Sequence, residues 1–360
     1  MRYIDAMRAQ GRSLRASRTT VEGRLRSLDL TPWRQRRLAL VGMGASSNAI
    51  SATLPGFWEA GLQAAGWAGS QFGLAGGAAG AEAVVAVSQT GKSAEVHAAL
   101  RDTGLPRLLV TDVEDSPLGW LADAVVPLGL LPDSNVRTIG YTGTIQALGL
   151  LRDALAGRSG ERPAAGALGW DGVADAVEAT QPAAEAFAAE LLPRLRGVTA
   201  FDVVGSGVHA GTALQGALLL REVCKLPATG YETFQYLHGP VEAAAPGRVV
   251  VAIGGEREAV LAADLAAAGA TVAYIGAAAG GGTADGVTAD GVTCGGTADG
   301  VTGGSGAADV PATFAIAAAE PLAQAVLAIL PLQAVTWLLA EDLGMPDGEF
   351  LYHQDDTKVG

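Results

Sequence analysis

Short apolar runs that end in glycine turns recur along the chain and divide it into similar units. Leu38–Val41 is one such run, closed by Gly42-Met43-Gly44-Ala45-Ser46-Ser47, and Phe201–Val204 is another, closed by Gly205-Ser206-Gly207. Apolar runs this short, bounded by glycine, predict buried strands that turn tightly into helices. Ala83–Val87, Arg107–Thr111, Ala124–Pro127, Arg248–Ile253, Thr271–Ile275 and Ala312–Ala317 read as further strands. Helical spacing appears in Ala94–Asp102, Gly143–Leu155, Glu256–Ala268 and Leu322–Ala340, and Pro132–Thr142 reads as a polar loop. Strands alternating with helices predict an α/β fold, a doubly wound parallel sheet covered on both faces, and the pattern occurs twice. The expected divisions are a helical segment over 1–37, a first domain over 38–160, a linker and helix over 161–198, a second domain over 199–344 and a tail over 345–360.

Two stretches stand outside this pattern. Gly280–Gly306 repeats Thr-Ala-Asp-Gly-Val-Thr in full or shortened form, without the strict nine-residue period of calcium-binding repeats, and predicts a flexible insertion. Residues 1–40 hold ten arginines against Asp5, Glu22 and Asp29, a net of +7 that leaves −20 for the rest of a chain whose total is −13. The acidic body makes nucleic acid a poor partner. Because the arginines alternate with Ile4, Met7, Leu14 and Leu25 in a helical rhythm, the segment predicts a solvated or subunit-bridging helix. No apolar run is expected to reach the roughly 18 uncharged residues of a membrane span, and the start lacks a signal-peptide core, so a soluble cytoplasmic protein is expected. Cys224 and Cys294 form neither a disulfide framework nor a zinc pattern, and no metal or cofactor is expected.

Candidate chemistry concentrates in two places. In the helix after Phe201–Val204, Leu214, Leu218 and Glu222 are spaced by four and share a stripe, so Glu222 is expected to be partly desolvated. Desolvation raises a carboxyl pKa toward the range useful for moving protons at neutral pH. The plainer reading pairs Glu222 with Arg221 or Lys225 at a helix end. The second place is Ser88-Gln89-Thr90-Gly91-Lys92-Ser93, where hydroxyls and free N–H groups between a strand and a helix suit a phosphate monoester or form an ordinary helix cap. The Gly-Lys-Ser here is not a nucleotide-binding loop, because the glycine required five residues before Gly91 is Ala86.

Taken together, the motifs resemble the sugar isomerase (SIS) family, in the tandem form of the isomerase half of glucosamine-6-phosphate synthase, from about Leu38 to Lys358. Gly42–Ser46 resembles the family's first glycine turn, and Ser88–Ser93 its phosphate loop. Leu219–Glu222 resembles the catalytic glutamate segment, followed after the same interval of sixteen residues by His238-Gly239-Pro240, and Thr357-Lys358-Val359 resembles the active-site tail. The resemblance implies two SIS domains in tandem, with phosphosugar binding by Ser46, Ser88, Gln89, Thr90 and Ser93. It implies proton transfer between C1 and C2 by Glu222, ring opening by His238 and carbonyl handling by Lys358. It also implies a homodimer in which His238 crosses the subunit interface. Gly254-Gly255-Glu256 replaces a hydroxyl loop in the second half, so one phosphate site per chain is expected. The sequence departs from the family at Lys92, at Thr138-Ile139-Gly140 and at Leu351-Tyr352-His353-Gln354.

These features lead to the expectation of a hexosamine 6-phosphate deaminase or aldose–ketose isomerase. With no cysteine after Met1, glutamine-driven amination is not expected. A dehydratase acting on N-acetylglucosamine 6-phosphate starts with the same C2 proton abstraction and is the alternative. A non-catalytic phosphosugar sensor is the alternative of another class.

Overall fold

The computed structural model describes residues 1–76, 80–158, 167–277, 311–345, 349–352 and 355–360. Gly280–Gly306, Cys294 and His353 lie outside the described residues. In order, the elements are α1 (Tyr3–Ser27), β1 (Leu38–Gly42), α2 (Ala45–Glu59), β2 (Ala64–Ala68), α3 (Gly69–Leu74), β3 (Ala83–Val87), α4 (Ala94–Asp102), β4 (Arg107–Thr111), β5 (Ala124–Pro127), α5 (Ile139–Leu155) and α6 (Val173–Leu195). The second half follows with β6 (Ala200–Gly205), α7 (Val208–Val223), β7 (Ala228–Glu232), α8 (Thr233–Leu237), β8 (Arg248–Gly254), α9 (Glu256–Ala267), β9 (Thr271–Ala277), β10 (Ala312–Ile316) and α10 (Pro321–Asp342).

Each half builds a five-stranded, wholly parallel sheet, ordered β2-β1-β3-β4-β5 in the first and β7-β6-β8-β9-β10 in the second. The two orders are the same topology repeated, two αβα sandwiches in tandem. β1 and β3 are buried along their whole length, as expected of central parallel strands covered on both faces. In each sheet the connections reverse direction between the first strand and its inner neighbour, β1 and β3 or β6 and β8. That reversal opens a crevice at the carboxyl ends of the strands.

The halves are joined by helices. α2 packs on α7 and α10 packs on α6 and α7, making one continuous core that includes Ala52, Ala213, Ala217, Leu220, Leu327 and Leu332. A buried ion pair closes the same seam: Arg152 on α5 reaches Glu320 at 2.5 Å, while Glu320 also accepts from the N–H groups of Leu322 and Ala323 at the start of α10.

Two expectations from the sequence need correction. Residues 321–340 are free of charge, so α10 is long and apolar enough by length and composition to cross a membrane, contrary to the reading above. In the fold it is the buried helix at the domain junction, which accounts for an apolar composition on every side. Nor is α1 a solvated helix. Tyr3, Met7, Leu14 and Val21 are buried, mostly against α5 and α6, and its outward arginines pair with the acids of α6, Arg8 with Glu185 at 2.7 Å and Arg15 with Asp175 and Glu178 at 2.5 and 2.6 Å. The basic charge of the N-terminus is therefore partly neutralised within the chain. Such half-exposed pairs add little stability, so the apolar face does most of the holding.

Candidate active site

The two glycine turns of the first sheet come from neighbouring strands on either side of its crevice. After β1, Gly44 takes φ +54° and starts α2, which places Ser46 half-buried in the first helical turn. After β3, Ser88 is buried and its Oγ lies 3.1 Å from the Oγ of Ser93. Gly91 lies between them at φ +65°, and a Cβ there would come within 2.0 Å of Ser116 Oγ, so both conformation and space require glycine. Ser93 begins α4 without capping it, and among the described residues no side chain accepts from the first N–H groups of that helix. Gln89 and Thr90 are half-buried, and the Gln89 side chain rests on the start of α5, where a Cβ on Gly140 would lie 2.4 Å from its Oε1.

α7 approaches this crevice from the second domain. Gly211 packs directly on Ala52, and Gln215 Oε1 accepts from Asn48 Nδ2 at 3.0 Å, so α7 runs antiparallel to α2. The carboxyl end of α7, with Glu222, is thereby carried toward the amino end of α2, with Ser46. The helix face differs from the sequence reading. Leu214 is exposed and Leu218 half-buried, while Ala213, Ala217, Leu220 and Val223 form the core face. Glu222 therefore lies on a partly open side, not on the core stripe. Burial still holds its carboxyl above the ordinary range, and the charges of Arg221, Lys225 and Arg137 pull it part of the way back. Among the described residues no ion pair satisfies Glu222: Arg221 donates to the Ala228 carbonyl, and Lys225 donates to the backbone carbonyl of Glu222.

Arg137 is a site residue that the motifs did not disclose. Its loop is folded by Asp133, whose carboxylate accepts from the Thr138 hydroxyl and the Gly140 N–H, so α5 starts at Ile139 and not at Gly143 as expected. The Arg137 carbonyl accepts from Gln215 Nε2 at 3.5 Å, and its charge acts on both Glu222 and Asp112 beside Gln89. Replacing Arg137 by Gln removes a charge that stabilises ionised Glu222. The Glu222 pKa should rise further, and the acid limb of the kcat/KM profile should move to higher pH, which rate measurements across pH 5–8 check.

The tail closes the site from the first domain. Lys358 forms an antiparallel bridge with Ser93, and the N–H of Val359 donates to the Lys92 carbonyl at 2.9 Å. The structure thus sets Ser88, Gln89, Thr90 and Ser93 on one turn with Lys358 bridged to it, and Ser46 on the turn after the neighbouring strand β1, while the Glu222 end of α7 runs toward the Ser46 end of α2. His238 is elsewhere. It is exposed at the end of α8, which packs on β6 and β8 of the second sheet through Tyr236, and no described contact of its side chain joins it to the others.

The second domain has filled its equivalent crevice from within. His209 holds the position that matches Ser46, two residues past Gly207, whose φ of +55° repeats that of Gly44. Where the first domain has its hydroxyl loop, buried Glu258 accepts from the Gly255 N–H at 3.0 Å and the Thr233 hydroxyl at 2.6 Å. An internal carboxylate thus uses donors that an external anion would need. Desolvation drives the His209 pKa down to about 4, against opposing pulls from Glu258 and Gln324. An ordinary histidine titrates near 6.5, so the unfolded chain takes up a proton between pH 6.5 and 4 that the folded chain refuses. Stability is complete above pH 6.5 and should fall by about 3 kcal/mol as pH drops to about 4. Urea midpoints at pH 7.5 and 4.5 should show that loss in the wild type and much less of it in His209→Gln.

No family model matches the chain. Over an alignment of 181 positions that covers 48% of the chain, it is 32% identical to glutamine–fructose-6-phosphate aminotransferase (isomerizing) of Aeropyrum pernix but spans only 29% of that protein. Among solved structures, tagatose-6-phosphate ketose/aldose isomerase of Escherichia coli superposes with a TM-score of 0.71 at 16% identity, covering 98% of this chain and 96% of that one. Glucosamine-6-phosphate deaminase of Thermotoga maritima superposes with a TM-score of 0.67 at 18% identity, covering 96% and 98%. At those identities the structural likeness speaks for the fold alone.

Proposed function

We propose, from the premise that this chain belongs to the sugar isomerase (SIS) family with two SIS domains in tandem, that it acts on a hexosamine 6-phosphate by moving the proton at C2. The observation that supports this reading is the antiparallel crossing of α2 and α7, which runs the end of α7 bearing Glu222, its carboxyl pKa raised by burial, toward the end of α2 bearing Ser46, while Lys358 bridges to Ser93 of the Ser88–Ser93 loop. Phosphate is assigned to the hydroxyls of Ser46, Ser88, Thr90 and Ser93, the Gln89 side chain and the N–H groups opening α4. Hydrogen bonds to an ionised phosphate are stronger than neutral ones, so this end fixes the substrate.

With the phosphate held, Glu222 takes the proton from C2 of the open-chain sugar and returns it at C1. A carboxyl group made more basic by burial does this better than an exposed one. Lys358, reaching in from the tail beside Ser93, is assigned to the carbonyl, through its charge or as an imine. His238 is assigned to ring opening in the site of a second subunit, which suits its exposed position in the second domain. Where C2 carries an amine, the proton shift gives a C2 imine whose hydrolysis releases ammonia and a ketose, and where C2 carries a hydroxyl the same shift gives aldose–ketose isomerisation.

The deciding measurement is incubation of hexosamine and hexose 6-phosphates in deuterated water with mass detection. Deuterium at carbon, with ammonia and a ketose released from glucosamine 6-phosphate, supports deamination, and deuterium with a ketose formed from a hexose 6-phosphate that carries no amine supports isomerisation. A product lighter by one water from N-acetylglucosamine 6-phosphate would replace this reading with dehydration. Binding without any carbon exchange would replace it with a phosphosugar sensor.

A further inference from the structure

The chain leaves α7 through Lys225, one of two non-glycine residues at positive φ among the described residues, at +58°. It sits just past the C-cap residue Cys224, at the position where helices commonly end on glycine because a side chain there crowds the backbone. The lysine side chain is engaged on two elements. Its Nζ donates to the Glu222 carbonyl at the end of α7 and to the Glu349 carbonyl at the start of the tail, each at 2.5 Å. The same ammonium lies 5.7 Å from the centre of the Phe350 ring, within cation–π range. At its other end the tail is pinned to the phosphate loop through Lys358, Ser93, Val359 and Lys92.

The tail is thus fastened at two points, one beside the candidate proton-transfer group in the second domain and one on the phosphate loop in the first. From this geometry we propose that Lys225 is a positioning residue for Lys358: by tying residues 349–350 to the last turn of α7, it sets where the tail begins and so holds Lys358 against Ser93. The structural part of this proposal stands on the contacts themselves, whereas its consequence for turnover rests on the function proposed above. Lys225 touches no substrate. It acts through the seating of the tail, and it fixes the tail's start by the same ammonium that closes the helix end carrying Glu222.

Lys225→Gly gives a direct test, because the backbone at +58° suits glycine and folding is not put at risk. Hydrogen exchange followed by mass spectrometry on the C-terminal peptide should show the Val359 region exchanging at least tenfold faster than in the wild type, with Lys225→Arg staying close to the wild type. In steady-state assays on the pH plateau, where the loss of the Lys225 charge beside Glu222 no longer alters its ionisation, Lys225→Gly should lower kcat by about tenfold and change KM for the phosphosugar by less than threefold, since the phosphate loop is untouched. In a Lys358→Ala background it should lower kcat no further.

Unchanged tail exchange in Lys225→Gly would overturn the proposal, as would kcat losses that simply multiply in the double variant. Failure of the functional reading looks different. Lys358→Ala alone would then leave carbon deuteration of the sugar as it was, whether or not the tail had loosened.

Discussion

Glu222→Gln is expected to lower turnover roughly 100-fold or more while ligand affinity changes little. The amide keeps the shape and hydrogen-bonding reach of the side chain and removes its basicity, so a group that only positions substrate would survive the change. Burial makes the prediction sharper. The carboxyl lies on a half-open face of α7, its pKa is raised by desolvation, and no ion pair compensates it among the described residues, so the folded protein bears the cost of a poorly solvated acid. Removing that acid should leave the melting temperature unchanged or raise it, while carbon deuteration in deuterated water disappears with turnover. A variant that bound phosphosugar normally and still exchanged the C2 proton at the wild-type rate would take the proton-transfer role away from Glu222.

The fold was legible because its central strands are apolar runs closed by glycine. β1, β3, β6 and β8 are buried along nearly their whole length, and parallel burial on both faces leaves that signature in sequence. The edge strands β2 and β7 were not read. Ala64–Ala68 and Ala228–Glu232 are mostly half-buried or exposed, contain glycine and little aliphatic surface, and form strands because a neighbour supplies the ladder. The start of α5 was placed four residues late for a related reason. The group that secures it, Asp133, acts on Thr138 and Gly140 from five and seven residues upstream, a span that no local capping pattern encodes.

The site divides along the same line. Ser88 to Ser93 follows one strand and was visible as a motif, whereas Arg137 and Gln215 matter through a helix crossing that no local signal announces. The Leu214, Leu218 and Glu222 stripe was visible but assigned to the wrong side of α7. Small residues, Ala213 and Ala217, take the core side of that helix, together with Gly211, which meets Ala52.

The double variant Ser88→Ala, Ser93→Ala should raise KM for a 6-phosphosugar roughly 100-fold with a smaller effect on kcat. The two hydroxyls lie 3.1 Å apart and bond each other, so in the free protein neither is wasted, and on binding both can turn to donate to phosphate oxygens. A charge-assisted hydrogen bond contributes about 1.5–3 kcal/mol, and losing two of them corresponds to at least a 100-fold loss of affinity. The single variants should fall short of half this effect in free energy, because the remaining hydroxyl, released from its partner, can still donate alongside the N–H groups opening α4. Stability is expected to hold, since removing both members of a hydroxyl pair leaves neither oxygen buried and unpaired. Isothermal titration with the 6-phosphosugar and with the same sugar lacking phosphate makes the comparison: the double variant should lose roughly 100-fold of the wild type's preference for the phosphorylated form, with affinity for the unphosphorylated sugar unchanged. If the double variant kept that preference in full, the phosphate would have to be read at another loop.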